Sequence, residues 1–123
     1  MLPGIQPFFC PHIVIAADDG NECVLFKQAL DNMHINYSLS MANSSEMLME
    51  MLDEKNFHPD YIFLHLHLPG IPGKVCLEAL KARKNLQTVP VILYSGSKNT
   101  KDRDYCYKIT PSDYFLNALC FLL

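Results

Sequence analysis

The stretch PDYIFLHLHLPG, residues 59–70, decides the fold of this chain. It is rich in aromatic and branched apolar residues and stops at Pro-Gly, a pattern that predicts a buried strand running into a turn. Two histidines, His65 and His67, stand two residues apart near its carboxyl end, which places them on the same side of a sheet. In open α/β sheets, ligands bind at the carboxyl ends of the strands, so this end is the candidate functional edge.

Strand and helix patterns alternate on both sides of this stretch. Strands are predicted over residues 12–17, 35–41, 89–94 and 113–116, and helices over residues 21–33, 45–52, 74–83 and 100–108. Five βα units in this order predict an α/β fold of the flavodoxin-like type, a doubly wound parallel sheet with strand order 2-1-3-4-5. Residues 119–123 are too few for a full last helix, so that helix is predicted to be truncated.

Length and composition fit one globular domain over residues 12–123, preceded by an N-terminal extension over residues 1–11. Half of the 123 residues are apolar and the net charge is −3, which gives no reason to expect nucleic acid. The apolar N-terminus lacks the charged start of a signal peptide, and no run could span a bilayer. Five cysteines without CxxC spacing predict buried free thiols in a reducing compartment, so we expect a cytoplasmic protein.

Several separated motifs match one known family. The stretch at residues 59–70 resembles the third strand and following loop of response-regulator receiver domains, which read roughly PDLIFLDLNMPG. Asp18 and Asp19 follow the first strand, as the acidic pair of receivers does, and Ser95 ends the fourth strand where receivers carry a Ser or Thr. The resemblance implies that the two aspartates descend from a Mg²⁺-binding pair, that Ser95 is the switch hydroxyl, and that Tyr114 is the switch aromatic.

The chain departs from the receiver pattern at the residues that perform phosphoryl chemistry. His65 stands at the position of the phosphoryl-accepting aspartate, and Asn117 and Ala118 replace the lysine and proline of the DYLxKP motif. The nearest carboxylate of the same strand is Asp60, roughly 16 Å away at the other end, because a strand rises about 3.3 Å per residue. We therefore expect no catalytic residue, no aspartyl phosphorylation and only weak Mg²⁺ binding.

Three roles for His65 follow from its chemistry. It could be a spacer that fills the vacated pocket, or a counter-ion whose imidazolium, flanked by Asp18 and Asp19, replaces part of the missing cation. It could also be a transition-metal ligand together with the two aspartates and with His67, whose side chain is otherwise expected to face solvent. For Asp18 and Asp19 themselves, the structural alternative is a turn or a helix cap.

The resemblance therefore implies a degenerate receiver, a non-enzymatic signalling module of a two-component phosphorelay that acts through protein contacts and needs no cofactor. Its partners would be signalling proteins such as a histidine kinase or another regulator, met through the fourth helix and fifth strand, and a homodimer is a further option. Self-association, or the extension with Ile5, Phe8 and Phe9, would cover apolar surface left by the short last helix. The alternative is a phosphotransfer protein or a metal- or pH-responsive regulator that uses His65 with Asp18 and Asp19.

Overall fold

The computed structural model describes residues 10–65, 67–95 and 118–122, and of residues 73, 74, 94, 95 and 118–122 it describes the backbone. Four predictions lie outside these residues: the helix over residues 100–108, the strand over residues 113–116, Tyr114 and Asn117. Residues 1–9 of the predicted N-terminal extension also lie outside the described part.

Five parallel strands form one sheet in the order β2-β1-β3-β4-β5. The strands are β1 His12–Ala16, β2 Ser38–Ala42, β3 Tyr61–His65, β4 Val91–Ser95 and β5 Ala118–Leu122. The helices are α1 Gly20–Asn32, α2 Ser45–Asp53 and α3 Gly73–Lys81, followed by a short 3-10 turn over Lys84–Leu86. This order confirms the predicted flavodoxin-like α/β fold.

One face of β3 is fully buried and the other is partly covered, which explains why its sequence is largely apolar. Ile62 and Leu64 are fully buried on one face, in the main core that also contains residues of α2 and α3. Phe63 lies on the opposite face and packs edge-on against Phe26 of α1, with ring centroids 4.6 Å apart. The strand thus sits at the centre of the domain and carries its last residue, His65, to the carboxyl edge.

The loop after β3 is fastened to the start of α2. Ser45, which is 2% exposed, donates its backbone N–H to the carbonyl of Pro69 at 2.9 Å, and its Oγ accepts the N–H of Ile71 at 3.0 Å. Between these contacts Gly70 adopts a φ of 114°, a conformation that side chains other than hydrogen rarely tolerate. The Pro-Gly turn read from the sequence is therefore a docked turn with a defined position.

The predicted end of the chain needs correction. Residues 119–122, predicted as part of a truncated helix, belong instead to β5, which pairs with β4 from Val91–Ala118 to Ser95–Leu122. The physical reason is composition: ALCFL is continuously apolar, and such a run suits a strand beside another strand better than a helix with one buried stripe. The strand that pairs with β4 is thus at residues 118–122, whereas residues 113–116, where the sequence predicts the fifth strand, lie outside the described part.

Several side chains are more exposed than their pattern predicted. The three- and four-residue spacing of apolar residues predicts that Ala29 and Met33 of α1 and Met47 of α2 face the core. Met33 and Met47 are instead 61% and 39% exposed, and Ala29 is exposed as well. Cys10 is exposed too, whereas Cys76 is buried and Cys23 is half-buried; all three are free thiols. β2 begins at Ser38 and not at residue 35, because α1 runs out through a turn in which His34 has a φ of 54°.

Candidate functional site

The carboxyl edge of the sheet gathers the ends of β1, β3 and β4. Because these strands are parallel and adjacent, the loop after β1 with Asp18 and Asp19, the last residue of β3, His65, and the last residue of β4, Ser95, lie at one edge. This is the placement that the sequence predicts for the two aspartates, His65 and Ser95. Tyr114 and Asn117, predicted to complete the edge, are outside the described residues.

The carboxylate that meets His65 belongs to Glu22, a residue that sequence reasoning did not single out. Oε1 of Glu22 lies 3.3 Å from Nε2 of His65, and the side chains are 27% and 13% exposed, respectively. The other ring nitrogen, Nδ1, accepts the backbone N–H of His67 at 3.1 Å. A nitrogen that accepts a hydrogen bond carries no proton, so this geometry assigns the ring proton to Nε2, which donates to Glu22.

Two matched steps on α1 and β3 position this pair. Glu22 and Phe26 are four residues apart on α1, a rise of about 6 Å on one face of the helix. Phe63 and His65 are two residues apart on β3, a rise of about 6.6 Å on one face of the strand. The Phe26–Phe63 contact and the Glu22–His65 contact are therefore two successive steps of one packing interface.

Glu22 is also placed where a negative charge is favoured. It is in the first turn of α1, whose N-terminal end carries a partial positive charge. Its second oxygen, Oε2, is buried and has no hydrogen-bond partner among the described residues. The carboxylate is thus partly desolvated, which costs free energy because water cannot hydrogen-bond to its buried oxygen. Its attraction to the Nε2–H of His65 offsets part of this cost.

Asp19 serves as the N-cap of α1. Its Oδ1 accepts the backbone N–H of Asn21 at 2.9 Å, the hydrogen bond that this position of a helix requires. Asp18 and Asp19 are both exposed. Asp19 therefore caps the helix, as the structural alternative predicts, whereas Asp18 makes no comparable contact in the part of the chain that the structure describes.

Among the described side chains, no three histidine, cysteine, aspartate or glutamate residues converge where they could hold a metal. Mg²⁺ is held by oxygen ligands in near-ideal octahedral geometry, and one oxygen of Asp19 is already engaged by the helix. The transition-metal cluster of His65, Asp18, Asp19 and His67 is likewise not assembled; His67 is exposed, as expected, with its ring centroid 6.1 Å from that of His65.

One sequence signal could have drawn attention to Glu22. Asp19 and Glu22 form the pattern D-x-x-E, which normally predicts that the glutamate folds back to cap the helix start. That reading would have named the residue but given it the wrong partner. Its actual partner, His65, is determined by which side of α1 faces β3. The packing of Phe26 against Phe63 sets that side, and this packing exists only in the folded domain.

The described helices include none long and apolar enough to cross a membrane. No match to a curated protein is found. Among solved structures, the phosphorylated cyanobacterial phytochrome response regulator RcpA is similar with a TM-score of 0.71 and 24% identity, over 92% of this chain and 81% of that chain. The Mn²⁺-bound form of response regulator Rcp1 gives 0.70 and 22%, over 91% and 79%.

A third similar structure is the receiver domain of the sensor histidine kinase PA1611 from Pseudomonas aeruginosa, with a magnesium ion coordinated in its active-site cleft. Its TM-score is 0.70 and its identity 16%, over 90% of this chain and 84% of that chain. These identities are low, so the structures establish the fold and no more. A family model described as the response regulator receiver domain matches residues 13–117. Because this match spans most of the chain, the chain belongs to the response regulator receiver domains, the CheY-like signalling modules of two-component systems.

Proposed function

We propose that this receiver domain signals through protein contacts alone, without phosphorylation of an aspartate. The observation that carries the proposal is the Glu22–His65 contact: the acceptor position holds an imidazole whose Nε2 is joined to a carboxylate at 3.3 Å. An aspartyl acceptor must present a carboxylate oxygen to the phosphorus beside a divalent ion. An imidazole that donates to Glu22 offers neither the oxygen nor a ligand for a hard cation.

No other carboxylate of β3 and its flanks supplies the missing acceptor. Asp60 lies before the strand, at the amino edge of the sheet, where its Oδ2 accepts the backbone N–H of His12 at 2.7 Å. That hydrogen bond fixes Asp60 at the end opposite His65. Its place in the fold supports the reading that the acceptor has been lost and not moved along the strand.

The geometry argues against His65 as a phosphoryl acceptor in its own right. A nucleophilic imidazole attacks through an unprotonated nitrogen. Nε2 carries the proton and faces Glu22, while the lone pair of Nδ1 is directed at the N–H of His67. Both nitrogens are therefore engaged, and a phosphoryl donor would have to break one of these contacts. Mg²⁺ binding is inferred to be weak, since no carboxylate cluster supports it among the described side chains.

Receiver domains interact with histidine kinases and other signalling proteins, and such a protein is the partner class proposed for this chain. A receiver that does not switch between phosphorylated and unphosphorylated states would present the same surface to that partner at all times. We propose that this surface is β5 together with the helix that the sequence predicts over residues 100–108. A homodimer formed through the same surface is the competing arrangement, which the oligomeric state in solution distinguishes.

The test is incubation with acetyl phosphate and Mg²⁺, followed by intact mass spectrometry, beside a receiver domain that retains its aspartate. We expect no adduct of about 80 Da, the mass of one phosphoryl group, on this chain. An adduct that disappears in the His65→Ala variant would establish histidine phosphotransfer instead. An adduct that survives this substitution and is released by hydroxylamine would show an acyl phosphate and contradict the proposal.

A further inference from the structure

The outer side of β2 is an unprotected edge of the sheet. In the order β2-β1-β3-β4-β5, β2 has a neighbouring strand on one side, and it pairs with β1 without interruption from His12–Ser38 to Ala16–Ala42. Its sequence, SLSMA, has no charged residue and no proline, and its ladder has no bulge. Charges, prolines and bulges are the usual devices that prevent one sheet edge from pairing with another, and β2 has none of them.

The backbone groups that face outward from β2 belong to Leu39 and Met41. The N–H of Ser38 donates to the carbonyl of Pro11, and the carbonyl of Ala42 accepts the N–H of the residue after β1, both at 2.9 Å. Because backbone groups alternate along a strand, the N–H and C=O groups of Leu39 and Met41 point away from β1. No backbone hydrogen bond from the described residues reaches them. They are therefore available to a further strand.

The side chains give this edge one apolar face and one polar face. Leu39 packs against the small core cluster under α1. Met41, on the same face, lines a groove of about 340 Å³ together with Val24 of α1, and these two side chains are 51% and 56% exposed. Ser40 lies on the opposite face, where its Oγ is 2.7 Å from Nε2 of His12. Burial of the exposed apolar face is favoured.

The charges beside this edge do not oppose the approach of an identical edge. Lys27 of α1 lines the groove, and its Nζ donates to Asp31 at 3.0 Å, so the pair has no net charge. Asp18 lines the groove where β1 ends. Like charges directly opposite each other destabilise a strand pair, whereas β2 presents serine, leucine and methionine. A second copy of β2 therefore meets this edge without charge repulsion between the strands.

A two-fold axis at Ser40 makes the edge complementary to itself. Antiparallel pairing about this axis sets Leu39 of one copy opposite Met41 of the other, and the two residues exchange both N–H···O=C bonds. The axis generates the same pair a second time. Ser40 then lies opposite the same residue of the second copy, as a non-hydrogen-bonded pair with Cα atoms about 4.5 Å apart. Every outward backbone group of Leu39 and Met41 thus has a partner, and their side chains form apolar cross-strand pairs.

We propose that this chain forms a homodimer through β2, in which the two five-stranded sheets join into one continuous sheet. The interface satisfies the outward backbone groups of Leu39 and Met41 and covers the apolar side of the groove. β2 and β5 are the two opposite edges of the sheet, so the dimer leaves β5 open. One assembly would then present two copies of the surface proposed for a signalling partner.

The oligomeric state gives the first measurement. Sedimentation velocity over a range of concentrations should show a dimer for the unaltered chain and a monomer for Met41→Lys, because two added charges would flank the axis. Val75→Lys is the matched control and should stay dimeric, since Val75 is 46% exposed on α3 and neither belongs to β2 nor lines the groove. A natural chain that is monomeric at every concentration would overturn the proposal. A dimer that survives Met41→Lys would also overturn it and would point to another surface, such as β5.

Cysteine cross-linking tests the register of the pairing. The background is Cys10→Ser, which removes an exposed thiol 3.8 Å from Oγ of Ser38. In this background Ser40→Cys should give a disulfide between two chains on mild oxidation, because disulfides need Cα atoms about 4.4–6.8 Å apart. Ser38→Cys is the control on the same face: position 38 is four residues, or about 13 Å, from its symmetry mate along the strands.

Peptide mapping under non-reducing conditions should locate the disulfide between position 40 of one chain and position 40 of another. Equal cross-linking of the two cysteine variants would overturn the proposed register. No cross-linking of either variant, with both folded by circular dichroism, would overturn the interface itself. None of these results depends on whether the domain can be phosphorylated.

Discussion

Nε2 of His65 and Oε1 of Glu22 lie 3.3 Å apart, and this contact ties the last residue of β3 to the first turn of α1. The pair is more than half buried on both sides, and the other oxygen of Glu22 has no hydrogen-bond partner among the described residues. Removing His65 therefore leaves Glu22 with a desolvated carboxylate. At this position the domain has an imidazole that contacts Glu22, whereas other receivers have a carboxylate. The contact therefore predicts how substitutions at these two positions change the protein.

A double-mutant cycle measures the Glu22–His65 interaction. With Glu22→Ala, His65→Ala and the double variant, urea unfolding at neutral pH should give a coupling free energy of about 1–2 kcal/mol, as for a hydrogen bond to a charged group in a partly desolvated site. The control is the cycle on Lys27 and Asp31, whose side chains are 60% and 52% exposed and whose coupling should not exceed about 0.5 kcal/mol. Equal coupling in the two cycles would contradict the account of the site.

Restoring the aspartate should create a dependence on metal. In His65→Asp the new carboxylate faces Glu22, so without metal this variant should unfold at a lower temperature than the uncharged control His65→Asn. Millimolar Mg²⁺ should raise the melting temperature of His65→Asp by about 4 °C or more, equivalent to about 1 kcal/mol, and leave the natural chain and His65→Asn unchanged. A similar rise in all three proteins would show that the ion binds elsewhere.

Asp19 should act in stability as a helix cap. Asp19→Ala removes the acceptor of the Asn21 N–H and should lower the free energy of unfolding by about 1 kcal/mol, in buffer that contains a chelator. Asp19→Asn keeps a side-chain oxygen at the same place and should cost much less. If the two substitutions have no effect until a divalent ion is added, Asp19 is a metal ligand and not a cap.

Substitution of Gly70 tests the docked turn, and substitution of Gly20 is its control. A Cβ on Gly70 would overlap Oγ of Ser45, and its φ of 114° disfavours any side chain, so Gly70→Ala should cost about 1–3 kcal/mol of stability. Around Gly20, at the start of α1, a Cβ meets nothing within 4 Å. Gly20→Ala should therefore be neutral or slightly stabilising in the same denaturation experiment, and a comparable loss at both positions would refute the docked turn.

The buried thiol of Cys76 should be protected from alkylation. Burial raises the pKa of Cys76 from 9.0 to about 11, so at pH 8 the thiol stays neutral. Site-resolved mass spectrometry after an iodoacetamide pulse should find Cys10 modified before Cys76, and Cys76 only at the rate at which the domain opens. Since the folded pKa is the higher one, this thiol favours folding below pH 9 and that contribution is lost as pH rises toward 11; Cys76→Ala should remove this part of the pH dependence.

The strands of the sheet could be predicted because their chemistry is local. Ile62 and Leu64 alternate with Phe63 in a run typical of a central strand that is covered on both faces, and the Pro-Gly stop marks its end. The end of the chain misled the prediction, because residues 118–122 carry an apolar run that fits either a short helix or a strand until β4 is placed beside it. Ser95 was assigned correctly to the end of β4 for the same local reason.

The partner of His65 could not be predicted, because it depends on how α1 is rotated about its own axis. Asp18 and Asp19 are nearer to the end of β1 in sequence and were the natural candidates, yet Asp19 turns back to its own helix. The packing of Phe26 on Phe63 fixes the rotation that brings Glu22 over His65. No property of Glu22 taken alone distinguishes this outcome from an ordinary helix cap.

The Phe26–Phe63 and Glu22–His65 contacts between α1 and β3 also restrict where residues can be inserted or deleted. An inserted residue between Glu22 and Phe26 would turn one of them about 100° away from β3, because each helical residue advances by that angle. An inserted residue between Phe63 and His65 would send one of them to the opposite face of the sheet. Homologous chains that keep this interface should therefore vary in side chains within residues 22–26 and 63–65, while insertions and deletions fall in the loops outside them.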